Sequence, residues 1–224
     1  PMPSGTEDYR KAIHAHTEWQ SIPISSGALA ARLGLAASTV TEMVKKLVAA
    51  GLVDHEKYGA IELTPAGTVI ALTIIRRHRL IETWLVDELG DRWDEVHDEA
   101  EVLEHSMSDR ILDAIDARLG HPSRDPHGDP IPSADGQVRL PAAVPLTELA
   151  AGSGGVVARV DDRDPLVLRH LAAEGIGLDT ELEIVDRVVS GGGMRVLVRG
   201  TTRAADRTLD LADPAASAIR VIPV

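Results

Sequence analysis

Apolar and polar positions follow one another along this chain with three different rhythms, and each rhythm marks a region. Between residues 6 and 64 the apolar positions recur at helical spacing in short runs: Leu29, Ala30 and Leu33 form one stripe, and Val40, Met43, Val44 and Leu47 form the next. Ser25 or Ser26 can cap the first of these helices, Gly34 ends it, and the second starts at Ala37 or Ser38. Two helices joined by so tight a turn predict a helix-turn-helix. Gly51 stops the second helix, and the runs 52–56 and 60–64 predict two short strands around Lys57, Tyr58 and Gly59, a wing. Thr64 then offers an N-cap with Pro65 at the first helical position.

From 65 to about 118 the helical rhythm is long and has few breakers. The stretch 119–141 is dense in Pro, Gly, Asp and Ser and reads as a linker or extended crossover. Beyond it, β-branched runs at 155–160, 181–189, 194–200 and 218–224 predict a small β-rich domain, with the glycines 191–193 as a hairpin turn. The expected fold is mainly α with a β-rich C-terminal module. Its parts are a winged helix-turn-helix at 1–64, a helical domain with its Pro-rich linker at 65–141, and the β module at 142–224.

Composition narrows the chemistry. Only 2% of the 224 residues are aromatic and none is Phe, which disfavours a binder of single strands that needs stacking platforms. Cysteine is absent, so a disulfide scaffold, a zinc ribbon and a thiolate nucleophile are excluded, and no metal meets a thiolate here. The apolar runs are short and the first residues lack an apolar signal region, which predicts a cytoplasmic protein with no membrane partner. The net charge of −12 taken alone argues against a nucleic-acid partner, but its distribution points the other way. Residues 1–80 carry nine basic against seven acidic side chains, and the remaining 144 carry 14 against 28. On the second helix of the helix-turn-helix, Ser38, Thr39, Thr41, Glu42, Lys45 and Lys46 are left outside the apolar stripe. Short polar side chains followed by lysines suit a major-groove helix, the former reaching base edges and the latter phosphate, with Lys57 and Tyr58 at the wing tip as further contacts.

A second constellation lies at 96–110. His97, Glu101, Glu104 and His105 fall at i, i+4, i+7 and i+8 of a predicted helix and project from one stripe, and upstream His78 and Glu82 repeat the i, i+4 pairing. Carboxylates and imidazoles on a shared, half-buried face are what a divalent cation neutralises. The ordinary reading of each pair is a surface hydrogen bond. His14, His16, His121 and His127 take that ordinary reading, and nothing in the pattern assigns His55 or His170.

The helix-turn-helix, RRHRLIE (76–82), VHDEAEVLEHSMSDR (96–110), HGDPIP (127–132) and GIGLDTELEIVDR (175–187) together resemble the diphtheria toxin repressor family of metal-dependent transcriptional regulators, from about residue 6 to the C-terminus. The resemblance implies a homodimer on double-stranded operator DNA, a helical dimerisation and metal-binding domain, and a C-terminal SH3-like (FeoA-like) small barrel. Transferred position by position, it implies one metal site at Asp8, Glu101, Glu104 and His105. A second would use His78, Glu82 and His97, completed by an acidic residue of the C-terminal module; Asp164 is the nearest match, with Asp161 and Asp162 as alternatives. The module's other implied role is to hold the Pro-rich segment 122–132. Val69, Leu72 and Ile75, with Met107, Ile111 and Ile115, are candidates for the dimer surface.

Iron-sensing members resemble this sequence but carry Met where Asp8 stands and Cys where Glu101 stands. Two carboxylates in place of thioether and thiolate harden the site and favour Mn(II), with Fe(II) or Co(II) as ions it accepts in vitro and two ions per subunit. Regulators with a compact two-ion cluster carry Glu where Lys11 stands, so separate sites sharing the 97–105 helix are expected here. The expectation is a non-enzymatic, Mn(II)-dependent repressor of manganese homeostasis genes. Its rivals are an Fe(II)-dependent regulator of the same family, a repressor that senses an organic ligand, and a metallohydrolase using the same stripe, although HExxH is absent.

Overall fold

The computed structural model describes residues 5–55, 59–187 and 192–224. The chain divides into two compact units, residues 1–77 with 132–137 and residues 78–131 with 138–224.

In the first unit, α1 (Thr6–Thr17), α2 (Ser26–Leu33) and α3 (Ala37–Ala49) are followed by the antiparallel hairpin of β1 (Val53–His55) and β2 (Ile61–Leu63). Ser25 caps α2, its Oγ accepting from the Ala28 N–H at 3.1 Å, and Gly34 closes it in the left-handed conformation at φ 65°, which a side chain would resist. The apolar stripes meet as expected: Leu29, Val40, Val44 and Leu47 are buried with Ile13, Ile24, Val53 and Ile61 in one core. Thr64 caps α4 (Pro65–Trp84), its Oγ1 accepting from the Gly67 N–H at 3.1 Å. Lys57 and Tyr58 lie outside the described residues.

In the second unit, the end of α4 runs through a π-helical turn at Leu85–Leu89 and is followed by α5 (Val96–Glu104) and α6 (Asp109–Arg118), which bury Val96, Ala100 and Leu112 around Ile81 and Leu85. The C-terminal part holds β3 (Val144–Pro145), β4 (Gly154–Val160), α7 (Pro165–Ala173), β5 (Glu181–Arg187), β6 (Met194–Val198), β7 (Arg207–Leu211), α8 (Asp213–Ala218) and β8 (Ile219–Pro223). These strands form one antiparallel sheet in the order β3-β8-β4-β5-β6-β7. The expected small barrel is therefore corrected: among the described residues the sheet is open. Its end strands β3 and β7 do not pair with each other, and β3 is only two residues long with a proline that has no N–H to donate. Helices α7 and α8 bury Leu168, Leu171, Ala215 and Ala216 in the same core as the sheet. The turn expected at the glycines 191–193 falls partly on Gly191, outside the described residues.

The Pro-rich stretch has no regular secondary structure over most of its length, yet it is not a solvated spacer. Asp125, His127, Asp129 and Ile131 are buried, and the stretch follows β4: the Val160 N–H donates to the His127 carbonyl at 2.8 Å, and Arg159 pairs with Asp129 at 2.6 Å. Gly128 sits at φ 92° where a Cβ would overlap the Ala158 carbonyl oxygen, so only glycine admits this approach. Among the described residues no helix is long and apolar enough to cross a membrane.

Candidate metal centre

The last turns of α4 and the whole of α5 carry the first group of donors. His78 is buried between two carboxylates, with Nδ1 2.6 Å from Glu104 Oε2 and Nε2 2.9 Å from Glu82 Oε1. Helical spacing explains the Glu82 contact, and the packing of α5 across α4 supplies Glu104. His97 approaches the same place, its Nδ1 3.2 Å from His78 Nε2 and 3.4 Å from Glu82 Oε1. Helix α5 ends at Glu104, short of the 96–110 run, and His105 is its C-cap residue. The side chains of Glu101, Glu104 and His105 still converge, offering ligand atoms within 4.8 Å of one another, as do His78, His97 and Glu101. Asp8 belongs to the other unit, where it is buried on α1.

A second group draws on three distant segments. Glu82, His127 and Asp162 present ligand atoms within 4.8 Å of one another. His127 Nδ1 is 4.0 Å from Glu82 Oε2, and Asp162 Oδ2 is 3.9 Å from His97 Nδ1. His127 is 1% exposed, and its Nδ1 has no hydrogen-bond partner. Burial pushes the Glu82 carboxyl up, but His78, His97 and His127 outweigh it and hold the group well below the usual carboxylate range. Burial pushes His127 down, and the neighbouring Asp125, Glu82 and Asp162 carboxylates more than reverse it, leaving the imidazole raised. Asp125, which accepts from the His127 and Asp129 N–H groups, is pushed up to about 8 by burial and by Asp129.

Of the acidic residues weighed for the second site, the structure brings Asp162 to it. Asp164 is engaged elsewhere, since as N-cap of α7 its carboxylate accepts from the Leu166 N–H at 2.9 Å. Asp161 is held by Arg163 at 2.6 Å. His127, given an ordinary role from sequence, is brought by the structure into one donor group with Glu82 and Asp162. It lies in an aperiodic segment with no face to read, and the available signal was its place in HGDPIP beside two aspartates.

These donors fit a divalent cation. Buried carboxylates and imidazoles crowd together in a place where unpaired negative charge is costly, one buried imidazole nitrogen lacks a partner, and every donor atom is oxygen or nitrogen. In the first unit, α3 leaves Ser38, Thr39, Thr41, Glu42, Lys45 and Lys46 exposed, with Lys45 Nζ 2.8 Å from Glu42 Oε1.

A winged helix-turn-helix with an exposed polar recognition helix, joined in one chain to clustered buried metal donors, defines a metal-dependent DNA-binding regulator. The chain belongs to the iron-dependent repressor family. Residues 2–61 match that family's N-terminal DNA binding domain, 64–133 its metal binding and dimerisation domain, and 144–223 a FeoA domain. It is 33% identical over 211 residues to the iron-dependent repressor IdeR of Mycobacterium tuberculosis, covering 87% of this chain and 89% of that one. It is 33% identical over 192 residues to the diphtheria toxin repressor of Corynebacterium diphtheriae, covering 81% and 84%. A solved structure described as a manganese-dependent transcriptional repressor in complex with manganese is 50% identical, with a TM-score of 0.93 over 98% of this chain and 100% of that one. The protein is thus a metal-dependent transcriptional repressor and not an enzyme.

Proposed function

We propose that this repressor responds to Mn(II), holds two ions per subunit, and binds double-stranded operator DNA as a cytoplasmic homodimer that controls manganese homeostasis genes. The observation that carries the reading is the hardness of the donor set: Glu101 stands with Glu104 and His105 in a chain that has no thiolate to offer. The likeness to a manganese-dependent repressor at 50% identity supports it. Asp8, Glu101, Glu104 and His105 would hold the first ion, Asp8 being carried over from the family pattern. Glu82, His127 and Asp162 would hold the second, with His78 and His97 lining both groups. A bound dication supplies charge neutralisation to carboxylates that otherwise repel one another across these groups.

The chain's own residues do the rest. Asp8 stands on the helix ahead of the DNA-reading pair, so fixing its carboxylate orders α1 and thereby favours operator binding, a coupling free energy between ion and duplex. Ser38, Thr39, Thr41 and Glu42 meet base edges, and Lys45 and Lys46 meet phosphate, joined by Lys57 and Tyr58 from the wing. In this reading the division at 64 and 141 separates DNA reading, metal sensing with dimerisation, and the FeoA-like module.

Operator retardation under anaerobic conditions across Mn(II), Fe(II), Co(II) and Zn(II), with ions counted by calorimetry, tests all of this. Mn(II) should give retardation that chelator reverses, at two ions per chain. Retardation by Fe(II) alone would transfer the reading to an iron sensor, and a complex indifferent to chelator would overturn it.

A further inference from the structure

His127 reaches the second group from a segment without helix or strand, so backbone periodicity does not aim its ring. Two contacts do. Its Nε2 is 2.6 Å from the main-chain oxygen of Trp93; a carbonyl only accepts, so Nε2 carries the proton and the lone pair of the neutral ring lies at Nδ1. The Trp93 indole lies along the imidazole with ring centroids 5.9 Å apart and planes 15° from parallel. Nδ1, the atom these contacts leave available, is buried without a hydrogen-bond partner, 4.0 Å from both Glu82 Oε2 and Asp125 Oδ1, and His127 groups with Glu82 and Asp162.

The turn that carries Trp93 is itself tied down. Asp94 is buried, with its carboxylate 3.0 Å from Arg92 Nε and 3.5 Å from Arg169 Nε on α7. Trp93 also packs against the core of the FeoA-like module, and α5, which bears His97 and Glu101, begins two residues after Asp94.

We propose that Trp93 is a positioning residue for the second ion, and that the 92–94 turn couples occupation of that group to the seating of the FeoA-like module. This rests on reading Glu82, His127 and Asp162 as an ion site. Outer-shell groups that fix the tautomer and orientation of a ligating histidine change metal affinity on the order of tenfold to a hundredfold. The indole Nε1 is buried and makes no hydrogen bond, so a phenyl ring in its place keeps the stack and forfeits no bond.

The test is Mn(II) calorimetry on the full chain with Trp93→Ala, Trp93→Phe and His127→Ala. Trp93→Ala should weaken the second ion about tenfold and leave the first unchanged, and Trp93→Phe should restore most of that loss. A Trp19→Phe/Trp84→Phe chain leaves Trp93 as the only indole. Its emission should change as the second ion binds, and adding His127→Ala should abolish the change. This arm needs no substitution at Trp93, so it decides the matter even where Trp93→Ala fails to fold. Two ions still bound by His127→Ala would refute the ion site itself. Loss of one ion there, with wild-type affinities in Trp93→Ala or a silent Trp93 in the single-indole chain, would refute only the positioning role.

Discussion

The two donor groups share Glu82 and its neighbours but are built on opposite principles. The first comes from adjacent turns of two helices, its imidazole His78 sits between carboxylates, and its outer members Glu101 and His105 reach the surface. The second joins residues 82, 127 and 162, and keeps a buried imidazole nitrogen without a hydrogen-bond partner. In the first group helical geometry gathers the donors, and both ring nitrogens of His78 are taken up by Glu82 and Glu104. The other exists only once a proline-rich segment has been laid along β4, and it leaves a donor waiting. In the proposed reading the two groups therefore differ in part: breaking the outer one should cost operator binding, and breaking the inner one should cost an ion seated beside the FeoA-like module.

Removing Glu104 breaks the outer group at a buried carboxylate, so Glu104→Ala gives the largest expected effect. Operator retardation at Mn(II) levels that saturate the wild type should fall on the order of 100-fold, with the helical circular dichroism signal retained. Retardation at the wild-type level would show that the outer group does not govern DNA binding. His127→Ala breaks the inner group alone. Calorimetry should then count one Mn(II) per chain in place of two, and operator affinity should fall about tenfold. An equal loss from both variants would erase the distinction between the groups.

The same contrast explains what the sequence revealed. His78, Glu82, His97, Glu101 and Glu104 lie on helices, where spacing alone says which side chains share a face, and all five come together. The recognition helix was legible for the same reason. His127 and Asp162 lie where no period exists, and their meeting depends on the register of the 125–131 segment against β4, a tertiary fact. The open sheet was hidden for a related reason: alternating runs reveal strands, but closure depends on whether the two end strands pair, and among the described residues the two-residue β3 with its Pro145 does not pair with β7.

That tertiary dependence gives the third test. Gly128→Ala puts a methyl into the Ala158 carbonyl at a backbone angle that side chains avoid, one residue after His127. The cost should be about 3 kcal/mol of stability, read by denaturant unfolding. The inner ion should weaken severalfold while the outer one keeps its affinity. A variant with both ions bound as in wild type would mean that the path of the 125–131 segment does not position His127.

The smallest effect separates two aspartates two residues apart. Asp162 has a carboxylate oxygen 3.9 Å from His97, whereas Asp164 commits its carboxylate to the first turn of α7. An N-cap is worth about 1 kcal/mol, so Asp164→Ala should lower stability by that amount and leave two Mn(II) per chain. Asp162→Ala should do the converse: it removes a cap from no helix, and it takes one of three donors from the inner group. Family resemblance alone points to Asp164, and the local geometry points to Asp162. Calorimetric loss of an ion in the Asp164 variant, with none lost in the Asp162 variant, would mean that α7 gives up its cap when the metal arrives and would reverse the assignment of the inner site.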